Sequence, residues 1–188
     1  MRKPSSTIPL SAMLAVVTLF PGCAEAPSQA ARDPIRSSWE YPLAYAGPDE
    51  VTIKLTRAKD NKLYLPIKIN GRILEALIDT GARSVFDLET MRAIGVASYP
   101  TSDIYYGLGG HRLQVHVGYV EEIDLGGLKS VGKSVTLIDL SGLKRSQTEG
   151  ALPPVDGLIG VDLLVALSAR IDYGALTLTL KKPHPNQQ

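Results

Sequence analysis

The sequence predicts an all-β domain, and three observations carry that expectation. Apolar residues alternate with polar ones at period two in segment after segment between Val51 and Leu180, the spacing of strands with one buried face. The segments are separated by turn chemistry, above all Asn70-Gly71 and Gly126-Gly127. The composition has 17 Gly and 13 Pro but only 2 Phe and 1 Trp, which with abundant Val, Ile and Leu favours short strands joined by turns. A length of 188 residues holds one domain with extensions, and two full domains would be cramped.

The N-terminus is a separate object. Arg2 and Lys3 precede an apolar run, Leu10 to Phe20, too short to span a bilayer, and small residues follow in "PGCAEAPSQA". Residues 1–22 therefore read as an export signal. Cys23 is the lone cysteine and cannot form an internal disulfide. Its position, with Gly22 before it, resembles the lipid-attachment site of bacterial lipoproteins, although Phe20 stands where that family prefers Leu and Pro21 is unusual there. Ordinary cleavage after Ala24-Glu25-Ala26 is the alternative. The resemblance implies an exported protein, periplasmic or held at a bacterial envelope membrane by an N-terminal lipid. Residues 23–49, rich in Pro, Ala and Ser, read as a tether, with Trp39, Tyr41 and Tyr45 as aromatics able to dock onto the domain.

The domain itself is expected over residues 50–181. Val51, Ile53 and Leu55 alternate as one strand; after the polar turn "RAKDNK", Leu63, Leu65, Ile67 and Ile69 make the next. Pro66 lacks a ladder donor, which places it at an edge or near a bulge. Asn70-Gly71 turns the chain into Arg72–Ile78, which delivers Asp79 at its end. "DLETMRAIG" reads as a short helix with Asp87 as N-cap and Gly95 as the stop. "YYGLGGHR" reads as a glycine-rich hairpin tip, from which Leu113, Val115, Val117 and Tyr119 run out on one face. "SVTLIDL" is a strand and "SGLKRSQTEGALPP" a loop. "DGLIGVDLL" gives an apolar pair, Gly160 and a short helix, and "ARIDYGALTLTL" a closing hairpin. Residues 182–188 read as a disordered tail.

Two motifs carry chemistry. "ALIDTGA" sets a single carboxylate, Asp79, at the end of an apolar run and follows it with Thr80, Gly81 and Ala82. Roughly a domain's width later, "DGLIGVDLL" presents Leu158, Ile159 and Gly160, with the glycine-rich hairpin between the two. This order resembles one lobe of the aspartic proteases, in the half-sized retropepsin form of retroviruses and related bacterial proteins. The resemblance covers Leu63 to about Leu180 and implies a closed single lobe of short strands with one or two short helices.

It implies roles as well. Asp79 would be the catalytic carboxylate, Gly81 would let a main-chain N–H hold it, and the Thr80 hydroxyl would reach a facing loop. Leu158, Ile159 and Gly160 would be the apolar support of the catalytic loop. Tyr105, Tyr106, Gly107, Leu108, Gly109 and Gly110 would form a flap closing over substrate. Amide hydrolysis by this chemistry needs two carboxylates sharing a proton around a water, and no metal or cofactor. The chain holds one Asp-Thr-Gly, so the resemblance implies a homodimer, acting as an endopeptidase on polypeptides, with Leu176, Leu178 and Leu180 as a strand joining the copies. A non-catalytic envelope lipoprotein that holds peptides in the same groove is the alternative.

The retroviral pattern has acidic residues after Asp-Thr-Gly-Ala and Arg after the later Gly, whereas Arg83-Ser84 and Val161-Asp162 stand here. A reversed Arg83–Asp162 pair is one expectation. Asp156 is expected to hydrogen-bond the loop before Gly157 rather than to act as the second acid. A net charge of +1 provides no basic surplus for nucleic acid. His111 and His116 fall on opposite strand faces, which disfavours a shared metal. "GLGG" lacks the strand-to-helix setting of a dinucleotide loop, and no nucleophile-elbow serine is present.

Overall fold

In the computed structural model, which describes residues 45–107 and 110–183, Asn70 and Gly71 turn the chain with φ of +49° and +77°. They join β4 (Leu63–Ile69) to β5 (Arg72–Asp79) in the expected hairpin, with Ile69 opposite Arg72. Before it come β1 (Tyr45–Ala46), β2 (Glu50–Lys54) and β3 (Thr56–Arg57); after it, β6 (Val85–Asp87) and α1 (Leu88–Ala93). β7 (Ser98–Tyr106) and β8 (Arg112–Leu125) form the glycine-tipped hairpin, and β9 (Leu128–Ile138) returns along β8. Then follow α2 (Ser141–Glu149), β10 (Gly157–Gly160), α3 (Val161–Ala166), β11 (Arg170–Asp172) and β12 (Thr177–Lys181). The signal, Cys23, Trp39, Tyr41, Leu108, Gly109, His184 and most of the tail expectation lie outside the described residues.

The strands β9, β6, β10, β5, β4 and β8 pair in that order, and β8 pairs back onto β9, so six strands close into a ring. The protein is mostly β, as expected, with three short helices among the described residues. β1, β3 and β7 attach to β9, β4 and β8, while β11, β12 and β2 make a separate three-stranded sheet. Alternation fills the main core: Leu65, Ile67 and Ile69 from β4 meet Leu74 and Ala76 from β5, Val135 and Leu137 from β9, and Ile159 from β10. A second buried cluster, Tyr64, Leu77, Val85, Val115, Ile138, Leu140 and Val155, lies on other faces of the same strands. No helix among the described residues is long and apolar enough to cross a membrane.

Pro66 is explained by its partner. Opposite it on β5, Glu75 turns its N–H to the Asp156 carboxylate and its carbonyl to the Asp156 N–H, away from β4. The Pro66–Glu75 pair thus exchanges no backbone bonds, and on the other side Pro66 falls between the register of β3 and that of β8. A proline costs the ladder nothing there.

Tyr45 docks onto the domain, as expected of its aromatic ring: with Ala46 it forms β1 against Ser130 and Lys129, and its ring lies 5.2 Å from the Lys133 ammonium. Three expectations are corrected. The segment read as a loop contains α2. It offers no apolar stripe to read, because polar contacts hold it: Gln147 donates to the Tyr64 hydroxyl, and Lys144 to Asp87 and Thr90. Val117 and Tyr119 do not share the burial of Leu113 and Val115; that face of β8 outruns the second cluster, and burial passes to Gly118 and Val120. Finally, β12 cannot join copies through its backbone as it stands. β11 and β2 occupy its two edges within the chain, and Leu178 and Leu180 are wholly buried in the core.

Asp87 organises the polar side of this fold. As expected it caps α1, accepting from the Thr90 amide at 3.0 Å and the Thr90 hydroxyl at 2.9 Å. It also accepts from the Leu140 amide at 3.0 Å and from Lys144 at 2.6 Å, so one buried carboxylate ties α1 to the start of α2. Burial alone would raise its pKa, but Lys144, the Thr90 and Leu140 amides and the Thr90 hydroxyl together hold it below the ordinary 3.8. Its contribution is therefore complete above that ordinary value and is lost as pH falls through the lower native one. Asp87→Ala removes the cap and leaves the buried Leu140 amide unpaired, an expected loss of about 2–4 kcal/mol in denaturant unfolding at pH 7. The gap between wild type and variant should shrink as the pH is taken below 4; a gap that is absent at pH 7, or that grows with acid, contradicts this role.

Candidate active site

The candidate site is built where β5 ends. The apolar residues Ala76, Leu77 and Ile78 pair in parallel with Gly157, Leu158 and Ile159 of β10, which brings Gly160 beside Asp79. β10 is also antiparallel to β6, with Leu158 opposite Val85. The turn from β5 to β6, residues 80–84, therefore has to pass around the end of β10. That passage is close: a Cβ on Gly160 would lie 2.3 Å from the Arg83 carbonyl carbon and 2.4 Å from the Ala82 oxygen. Only a glycine leaves room for the turn.

Hydrogen bonds fix the crossing. Ser84 donates its amide (2.8 Å) and hydroxyl (2.7 Å) to Asp162 Oδ1, which also accepts from the Leu163 amide at 2.9 Å. The Ser84 hydroxyl accepts from the Gly160 amide at 2.9 Å, and the Val161 amide donates to the Ala82 carbonyl at 2.9 Å. Ser84 and Asp162 are both buried. Asp162 thus serves Ser84, and no ion pair joins it to Arg83 among the described residues. The expected reversed pair does not form, because the carboxylate is enclosed by amides and a hydroxyl from the turn itself. Sequence position pointed to Asp162 but to the wrong neighbour, and no separate signal singled out Ser84.

Within this frame Asp79 is half-buried and Thr80 exposed. The Gly81 amide donates to Asp79 Oδ1 at 3.0 Å, and the Ala82 amide to the Asp79 carbonyl at 3.1 Å. Ile159 sits in the main core, and Leu158 packs on the second cluster. The β7–β8 hairpin stands on that same cluster through Tyr105 and Leu113, while Tyr106 is exposed. Its tip is drawn together by the Gly107 amide donating to the His111 carbonyl and the Gly110 amide to the Gly107 carbonyl. Arg83 Nη1 donates to the Tyr105 hydroxyl at 3.4 Å, the contact that links the turn to the hairpin and that sequence reading did not anticipate.

The other acids near the motifs are committed. Asp156 accepts from the Glu75 amide at 3.1 Å and the Thr90 hydroxyl at 3.2 Å and lies 3.6 Å from Lys144, so it braces β5 as a loop acid. Asp87 and Asp162 are engaged as described. No hydrogen bond or ion pair among the described residues joins Asp79 to another carboxylate. Next to Thr80, α3 leaves Val161 and Val165 exposed, at 38% and 68%, along a groove that also takes in Ile171. Among the described residues no three His, Cys, Asp or Glu side chains gather as metal ligands.

A family model described as Aspartyl protease matches residues 65–163, a span that holds Asp79-Thr80-Gly81-Ala82, Leu158-Ile159-Gly160 and the hairpin between them. No curated protein sequence matches the chain. Among solved structures, a retropepsin-like aspartic protease from Rickettsia conorii aligns at 17% identity and TM-score 0.49, over 74% of this chain and 95% of that one. The EIAV protease in complex with the inhibitor HBY-793 aligns at 20% identity and TM-score 0.45, over 61% of this chain and 95% of that one. The retroviral protease-like domain of Ddi1 from Leishmania major aligns at 22% and 0.43, over 68% and 98%. The match over residues 65–163, more than half of the chain, carries the assignment: this protein belongs to the aspartyl protease family that the model describes.

Proposed function

We propose that the protein is an aspartic endopeptidase in which a water is activated between the Asp79 carboxylates of two copies. One observation carries the reading: the fold presents Asp79 on a braced turn, held by the Gly81 amide, and supplies no second carboxylate to it among the described residues. Two carboxylates in close approach cannot both ionise cheaply, so one proton is shared; the ionised group takes a proton from water and the neutral one protonates the amide. A second copy of the same turn provides the missing acid. Exposed Thr80, with Val161 and Val165 beside it, gives that copy a polar and an apolar surface to meet. An extended polypeptide would lie between the turn and the β7–β8 hairpin, whose closure excludes water.

The N-terminal residues support export, with Cys23 as the lipid-bearing first residue and the domain carried on the tether in the periplasm or at the envelope membrane. Labelled fatty acid should enter the wild type and not Cys23→Ala; a soluble chain beginning near Pro27 would instead support ordinary signal cleavage and contradict the lipid anchor.

Asparagine keeps the shape of Asp79 but can neither act as base nor share the proton. Asp79→Asn should abolish cleavage of a mixed peptide library, a loss of about 10³-fold or more, with the unfolding midpoint little changed. A peptide isostere bearing a hydroxyl in place of the scissile amide should inhibit the wild type, because it imitates the tetrahedral intermediate. Undiminished turnover in Asp79→Asn would end the proposal.

A further inference from the structure

We propose that Arg83 is a specificity-determining residue that selects polypeptides carrying an acidic side chain beside the scissile bond; this deepens, and rests on, the reading of the Asp79 cleft as a peptide site. The backbone of Arg83 is immobilised. Gly160 packs directly against it, the preceding Ala82 carbonyl is bound by Val161, and the following Ser84 is bound by Asp162. From that fixed base the half-buried side chain crosses to the hairpin, where the Tyr105 hydroxyl is its partner at 3.4 Å.

A neutral phenol is a weak partner for a guanidinium. The fork of Arg matches a carboxylate with two parallel charge-assisted bonds, which a single long contact to a hydroxyl does not approach. Asp162, the acid that motif position offered it, is engaged by Ser84, Asp87 is taken up by Thr90, Leu140 and Lys144, and no acid pairs with Arg83 among the described residues. Its one partner, Tyr105, packs on the apolar cluster of buried Tyr64, Leu77 and Val85. A substrate side chain entering here meets one half-buried positive charge. A carboxylate displaces the tyrosine hydroxyl and pairs with Arg83, whereas a lysine or arginine meets a like charge.

The test uses the full chain and a peptide that the wild type cuts, remade with Glu, Gln or Lys at the positions flanking the cut. The Glu peptide should exceed the Gln peptide by about 10- to 100-fold in kcat/KM. That ratio should collapse towards one in Arg83→Gln and turn in favour of Lys in Arg83→Glu. Tyr105→Phe removes only the neutral competitor and should keep the ratio. Arg83→Met, which retains the packing of the stem, should show the same collapse and replaces Arg83→Gln should that variant fail to fold. A Glu to Gln ratio that survives loss of the guanidinium overturns the proposal. If the wild type cuts nothing, the endopeptidase reading fails on its own, and labelled extended peptides of one sequence, differing only in a central Glu or Gln, decide Arg83 by anisotropy. Tighter binding of the Glu peptide to Asp79→Asn, lost in Asp79→Asn/Arg83→Gln, supports the proposal; equal binding, or no binding of either peptide, overturns it.

Discussion

The site depends on the buried crossing at Gly160. A parallel β5–β10 pair brings two strand ends together, and the loop leaving one must pass over the other with no room for a side chain. Ser84 and Asp162 then convert that close approach into a fixed one. The Ser84 hydroxyl donates to Asp162 and accepts from Gly160, and the Asp162 oxygen takes three donors, so the buried polar atoms are used rather than stranded. A carboxylate acting on water must be held to within a fraction of an ångström, and a loop of five residues does not achieve that alone. Here the loop inherits the rigidity of the core beneath it, through Ile159 and Leu163, both wholly buried.

A second polar network braces β5, the strand that delivers Asp79. Asp87, Thr90, Lys144 and Asp156 connect α1, α2 and the backbone of β5. Through Gln147 and Leu143, α2 covers Tyr64 and the second cluster, the same cluster on which the hairpin and Leu158 rest. The hairpin and Leu158 therefore rest on one cluster that α2 holds by both polar and apolar contacts. Arg83 is the exception, a cation on the rigid turn whose neighbour is a hydroxyl.

Much of this was legible in the residues, and the limits follow from what a sequence encodes locally. Alternation gave the strands, Asn70-Gly71 the hairpin, and Asp87 with Gly95 the ends of α1, because each is a preference of the chain over a few residues. The two motifs located the turn and its support for the same reason. α2 stayed hidden because its stability comes from Lys144 and Gln147 reaching residues far away in sequence, not from an apolar stripe. Charge alone favours an Arg83–Asp162 pair, but burial favours the short serine, which can both donate and accept. β12 has the Leu–Thr alternation expected of it, yet alternation says nothing about which strands lie alongside, and β2 and β11 occupy both places.

The proposed dimer therefore rests on the Asp79 turn and its surroundings: under that proposal Thr80, Val161 and Val165 meet a second copy, since no partner acid reaches Asp79 among the described residues. The most direct measurement is specific activity across a dilution series, set beside the dimer dissociation constant from sedimentation. The account predicts that specific activity falls as monomer accumulates, with its midpoint at that constant. Specific activity that stays level down to concentrations where only monomer sediments would contradict it.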